Sequence, residues 1–320
     1  MMMNWDERRQ IVKVANLYYF AGQTQAQIAS KMGVSRPVIS KLLNKAREMG
    51  IVEIYIKDEN AHTVKLEQQL ENIYHLKEVL VVPAGNLSTD MIKHALGKAA
   101  ASYVSRNIKN ITSLGISWGS TLSKFVQEYP YEQHRDLQIV PLVGGMGRKF
   151  VEIHSNLLAY QLAQKMNSHC SYLYAPAMVE SLELKERLIQ SEDIAMVLEE
   201  GRNVEMAIVG LGNPFKDSTM TDMHYLTSDD LASLKLAKAT GDIGSRFYNA
   251  EGNQIKHPLN DLVIGLDLEE FKNIPEVVGI VEGAHKVESL RAALKGGYLN
   301  VLVIDDVTAD LLLHHAQKKD

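Results

Sequence analysis

Cys170 is the sole cysteine among 320 residues. A lone thiol excludes an internal disulfide framework and a Cys-based zinc site, and it suits a reducing cytoplasm. Long apolar runs are missing as well. None approaches the roughly 20 residues that cross a bilayer, and the N-terminal MMMNWDERRQ has no apolar signal core. No ligand set has metal spacing, and His314-His315 reads as a helix end. Internal repeats and low-complexity tracts are absent. The sequence therefore points to a cytoplasmic protein with no membrane partner, no metal and no cofactor.

What is present begins with a hydrophobic content of 46%, enough for a sizeable core, and a length that suggests about two domains. The net charge of −5 is unevenly spread. Residues 1–57 hold nine Lys or Arg against four Asp or Glu, which leaves −10 for the remainder. A local basic region in an acidic chain is the electrostatic footprint of a DNA-binding module.

That module centres on residues 24–44, TQAQIASKMGVSRPVISKLLN. Thr24 with Gln27 fits a capping box. Ile28, Ala29 and Met32 give one apolar face, and Gly33 sits where the chain reverses. Ser35 is expected to cap a second helix, with Pro37 in its first turn. Val38, Ile39, Leu42 and Leu43 continue the apolar face. Small residues at this spacing let two helices cross steeply, as in a helix-turn-helix. The residues assigned to DNA are Thr24, Gln25, Ser35, Arg36, Pro37, Val38, Ser40, Lys41 and Lys45, mostly short donors and cations suited to base edges and phosphates. A helix over 6–21 is expected in front, with Ile11, Val12, Ala15, Leu17, Tyr18 and Tyr19 facing the pair. The alternating run 51–56 (IVEIYI) reads as the strand of a β-wing.

The expected divisions are a winged helix-turn-helix domain over 1–57, a linker and connecting helix over 58–76, and a larger α/β domain over 77–320 for effector binding and oligomerisation. From residue 79 short apolar runs alternate with amphipathic helices. Strands are expected at 79–84, 111–117, 137–145, 170–175, 204–211, 277–282 and 299–305, which makes a mostly parallel sheet covered on both faces. Within 241–256, Glu251-Gly252-Asn253 reads as the turn between two short antiparallel strands.

In such sheets ligands sit beyond the carboxyl ends of the strands. Ser117-Trp118-Gly119-Ser120-Thr121 follows a strand and opens a helix. It reads either as an anion site or simply as a well-capped helix start. Gly144-Gly145, Gly212 and Glu282-Gly283 lie at three further strand ends, each letting backbone approach a ligand. Lys286, in a first helical turn, reads either as a solvated lysine or, since a positive dipole end disfavours a bare cation, as the partner of an anion held there. Asp242, between glycines, fits either a turn or an acceptor for sugar hydroxyls. Trp118 reads as packing beneath the loop.

Together LYYFAGQTQAQIASKMGVSRPVISKLL, GISWGSTL, LVGG, AIVGLGNP, GDIGSRFYNAEG and VVGIVEGAHKVESLRAALKGGYLNVLVID give the chain, over nearly its full length, a sequence that resembles the SorC-type, or sugar-binding, bacterial transcriptional regulators. The wording of GISWGSTL and SRFYN is nearest to the sorbose-operon branch. The resemblance implies an effector domain with a fold like that of sugar-phosphate isomerases and glucosamine-phosphate deaminases. It implies that Ser117, Gly119, Ser120, Thr121 and Lys286 bind the phosphate of a phosphorylated sugar, with Asp242, Gly144, Gly145 and Asn156 at the sugar. It further implies a homotetramer, a dimer of dimers, on double-stranded palindromic operator DNA. Some members carry Lys or Arg where Val143 stands. Valine forms neither a Schiff base nor a charged contact, so a polyol phosphate is as plausible as a sugar phosphate. Two rival readings stay open: an isomerase- or deaminase-like enzyme, and a DNA-binding protein that ignores ligands.

Overall fold

The computed structural model describes residues 5–52 and 61–317, and the chain divides into two compact units at residues 61 and 62. In the first unit α1 (Trp5–Ala15) runs into a π-helical turn (Asn16–Phe20), followed by α2 (Gln25–Met32) and α3 (Arg36–Glu48). The expected single helix over 6–21 thus changes hydrogen-bonding pattern at Asn16, and Ile11, Val14 and Ala15 are its buried residues while Val12 is exposed. Ile28, Ala29, Ile39 and Leu43 close the small core. The Thr24 N–H donates to Gln27 Oε1 at 2.8 Å and the Gln27 N–H to Thr24 Oγ1 at 3.3 Å, the reciprocal capping box. Ser35 takes the extended N-cap backbone, but its side chain makes no capping bond. Most of the strand expected at 51–56 lies outside the described residues.

The second unit opens with α4 (Ala61–Tyr74) and β1 (Glu78–Val82). The Glu71 and Glu67 carboxylates accept from the N–H groups of Val79 and Val81, so α4 covers the free edge of β1. Next come α5 (Thr89–Asn107), β2 (Ser113–Ile116), α6 (Ser120–Glu128), β3 (Gln138–Pro141), α7 (Ser155–Met166) and β4 (His169–Cys170). Then α8 (Leu182–Ile189) and α9 (Glu192–Arg202) lead to β5 (Met206–Gly212), α10 (Thr219–Asp222) and α11 (Ser228–Leu236). The hairpin β6 (Gly241–Ile243) and β7 (Arg246–Tyr248) precedes α12 (Pro258–Asp261) and α13 (Leu268–Phe271). The chain closes with β8 (Glu276–Val281), α14 (Val287–Lys295), β9 (Val301–Asp305) and α15 (Asp306–Gln317).

The sheet order is β1-β9-β8-β5-β2-β3-β4, all parallel, with the β6–β7 hairpin joined antiparallel to the end of β5. Strands such as β8 and β9 are buried along their whole length, as helices on both faces require. One core joins α5, α6 and α7 to one face; a second joins α4, α9, α14 and α15 to the other. Two expectations shift. The strand at 170–175 shortens to β4, because residues beyond it leave the sheet. The hairpin turns tightly at Gly244-Ser245, while 249–253 forms the next reversal, with Asn249 N–H donating to the Asn253 carbonyl.

The topology fixes where a ligand would go. From β2 the chain steps outward through β3 to β4; from β5 it steps the other way through β8 to β9. The order reverses between β2 and β5, so the loops beyond their carboxyl ends diverge and leave a crevice.

Candidate functional site

A small open cavity lies in that crevice. Its wall is built from Trp118–Leu122 after β2, Gly210–Asn213 at the end of β5, Asp217–Met220 after it, Asp242 and Gly244 of the hairpin, Ile280 in β8 and Lys286 beyond it. Four separate parts of the chain therefore meet at one place.

The floor is the start of α6. Gly119 has φ of 140°, which L side chains rarely adopt, and no side chain caps the helix. The first N–H groups of α6 are accordingly unclaimed within the helix and face a region where anions are favoured. Ser120 and Thr121 add hydroxyls. Trp118 forms a wall while its Nε1–H donates to Ser245 Oγ at 3.1 Å, so it both packs and lines the cavity.

Asp242 faces the cavity from the hairpin and is 6% exposed. Burial raises its carboxyl to about 6; nearby Lys286 and the Ser245 N–H oppose the rise. Its seat depends on Gly212: a Cβ there would overlap the carboxylate. Lys286 ends a short 3-10 turn (Ala284–Lys286), and burial lowers its ammonium against the pull of Glu282, Asp242 and Asp217. The loop below is tied by Asn213, whose Nδ2 donates to the His285 carbonyl at 2.7 Å.

Among the residues expected at the ligand, Gly119, Ser120, Thr121, Gly212, Asp242 and Lys286 come together on this wall. The others lie elsewhere. Ser117 is 1% exposed and its N–H donates to the Ile208 carbonyl, beneath the wall rather than on it. Gly144 packs against the backbone of Ala175 and Pro176, and Gly145 exchanges backbone hydrogen bonds with Ala175 and Ala177, so both glycines serve close chain packing. Asn156 clamps Leu173, donating to its carbonyl and accepting from its N–H, each at 2.9 Å, away from the cavity. Glu282 is buried, and the Gly283 N–H is held by Asp305 at 3.2 Å. Sequence reasoning passed over Asp217, Ser218, Thr219 and Met220. Their only signal is a polar run after the Gly-Asn-Pro turn.

On the first unit, Thr24, Ser35, Arg36, Pro37, Val38 and Lys41 are exposed, while Gln25, Ser40 and Lys45 are half-buried. Lys45 is engaged by Glu7 in an ion pair. Among the described residues no helix is long and apolar enough to cross a membrane, and no cluster of metal-ligating side chains occurs.

Residues 58–314 match the family model "Putative sugar-binding domain". The sorbitol operon regulator of Klebsiella pneumoniae is 32% identical over 317 residues, covering 98% of this chain and 100% of that one. The full-length SorC crystal structure from that organism gives a TM-score of 0.77 at 31% identity, covering 96% of this chain and 99% of that one. The deoxyribonucleoside regulator of Bacillus subtilis is 30% identical over 312 residues, covering 98% and 99%. A solved DeoR family transcriptional regulator from Listeria monocytogenes is 45% identical with a TM-score of 0.75, covering 78% and 99%.

Proposed function

Because this chain belongs to the SorC-type family of sugar-binding transcriptional regulators, we propose that the cavity beyond β2 and β5 measures a phosphorylated sugar or polyol. The observation that carries this is the meeting of an uncapped helix start with a half-buried ammonium and a buried carboxylate in one crevice. The N–H groups of α6, the hydroxyls of Ser120 and Thr121, and Lys286 hold the phosphate. Asp242 accepts from the ligand's hydroxyls, over the space that Gly212 leaves. Val143 is fully buried, so no charged group at that position engages a carbonyl carbon. Relatives of nearly equal identity are named for sorbitol and for deoxyribonucleosides, so identity alone does not select the carbohydrate.

The output is DNA binding. We assign residues 1–57 to the operator, 58–76 to the connection and 77–320 to sensing and assembly. Arg36 and Lys41 present donors to base edges and phosphates, and exposed Val38 suits a thymine methyl. Two such helices per dimer enter successive major grooves about 34 Å apart, in a tetramer built from two dimers. The ligand acts by preferring one arrangement of the DNA-reading helices over another, and it shifts the balance only by that preference.

Asp242, with a carboxyl raised to about 6, also has the character of a general base, which keeps an isomerase or deaminase reading testable. A thermal-shift panel decides among the readings. At a hundredfold excess over Kd a ligand selective for the native state adds about 2.7 kcal/mol of stability. Phosphorylated sugars or polyols should shift the melt while their unphosphorylated forms do not. Equal shifts by both forms, or none, would sink the proposal, and turnover of a shifting ligand would favour the enzyme. Lys286→Ala should abolish the shift and leave operator binding in place.

A further inference from the structure

Lys93 lies on α5, outside every motif that pointed to the cavity. Its Nζ donates to Ser120 Oγ at 3.1 Å, at the first residue of α6. The placement follows from helix packing. α5 and α6 meet where Gly97 leaves room for the backbone of Lys124; a Cβ at Gly97 would sit 2.7 Å from the Lys124 carbonyl carbon. One turn back along each helix are Lys93 and Ser120. The close crossing therefore sets the register that brings the ammonium to the cavity's rim.

Three features of this arrangement need an anion. Lys124 beside it is paired with Asp90 at 3.0 Å, whereas among the described residues Lys93 has no carboxylate in ion-pair contact. Ser120 Oγ accepts from Lys93, so its own O–H is free to donate toward the cavity. Lys93 also stands near enough to Lys286 and His285 to disfavour their charged forms. Lys93 thus adds positive charge beside Lys286 at a helix start that already carries a partial positive charge; the carboxylates of Glu282, Asp242, Asp217 and Asp90 offset part of it, and a further anion is favoured there.

We infer that Lys93 is a second cationic arm of the cavity, which grips a phosphoryl group from the α5 side while Lys286 grips it from the other, with Ser120 relaying between Lys93 and the ligand. This rests on the phosphate reading above and adds a binding residue to it.

The test uses the full chain and inorganic phosphate as the probe, with affinity measured by calorimetry and stability by thermal melting. Lys93→Gln should weaken phosphate binding about tenfold, a change typical of losing one charge-assisted hydrogen bond. Lys93→Arg should retain most of the affinity. Lys98→Gln, an exposed lysine on the same helix, should leave it unchanged. Without ligand, Lys93→Gln should melt no lower than wild type, because a repulsion has been removed. Unchanged phosphate affinity in Lys93→Gln would overturn the inference alone. So would an equal loss in Lys98→Gln, or a lower melt or failure to fold in Lys93→Gln, which would mark the lysine as structural. If wild type itself ignores phosphate, the phosphate reading falls and takes this inference with it.

Discussion

Arg36 and Arg246 carry the same guanidinium in opposite circumstances. Arg36 opens α3 in the first unit and is exposed to solvent. Arg246, in β7, is 2% exposed and hydrogen-bonded to the carbonyls of Asn260, Val263, Gly265 and Leu266, with the Asp267 carboxylate at 2.9 Å. Burial lowers its basicity, and the neighbouring carboxylates oppose that. One guanidinium stands in solvent; the other is bonded inside the chain through Nε and both terminal nitrogens. Arg246 fastens the 260–267 loop to the hairpin that carries Asp242, and Asn260 adds a stitch through the N–H and carbonyl of Phe247. The face proposed for DNA is thus a set of exposed side chains. The cavity is an interlocked object in which a contact away from the wall fixes a residue that lines it.

The contrast breaks most directly on paired substitutions. Arg246→Met should cost about 3 kcal/mol or more, because it leaves several carbonyls without their donor at about 1–3 kcal/mol each, and should remove the ligand-induced thermal shift. Arg36→Met should stay within about 0.5 kcal/mol of wild type while operator affinity falls. Urea denaturation of both variants measures this. Comparable stability losses would show that the two regions are not organised differently.

A smaller effect separates them by pH. Asp242 has a native carboxyl raised from 3.8 to about 6, so between those values the native state binds the proton that the unfolded chain has released. Stability therefore falls as pH rises through this window, and the penalty is fully present above it. A shift of about two units corresponds to about 3 kcal/mol. The stability of wild type relative to Asp242→Asn should fall on this scale between pH 4 and 6.5, since the variant lacks that part of the slope. Matching profiles would mean the carboxylate is solvated after all, and the cavity looser than its packing implies.

The same contrast explains what could be read from the residues alone. Thr24 and Gln27 are three apart, so their capping box is visible in the sequence, as is the turn at Gly33. The mostly parallel sheet, though not its strand order, followed from alternating apolar runs and helices, and Lys286 and Asp242 stood out as charges beside strand-end glycines. Lys93 did not. It meets Ser120 only because Gly97 sets the crossing of two helices, and no local pattern carries that register. Arg246 and Asn260 were hidden for the same reason, since their partners are backbone carbonyls and N–H groups. Asn156, named from the family resemblance, holds Leu173 through both ends of its amide, away from the cavity wall. The glycines at 144 and 145 are used for close chain packing, which selects the same residue as ligand approach does.

The smallest effect tests the DNA face itself. Lys41 is exposed on α3, whereas Lys45, one turn later, is already paired with Glu7. If Lys41 meets a phosphate, it releases a counterion on binding. Lys41→Gln should then lower the slope of log affinity against log salt by about one, with folding stability held within about 0.5 kcal/mol. Lys45→Gln should change the slope less, because its ammonium must leave Glu7 before it can neutralise a phosphate. Fluorescence anisotropy of operator binding across a salt series reads both slopes. A larger slope change at Lys45 than at Lys41 would mean that the Glu7 pair opens on DNA and that this face, too, is coupled to its own interior.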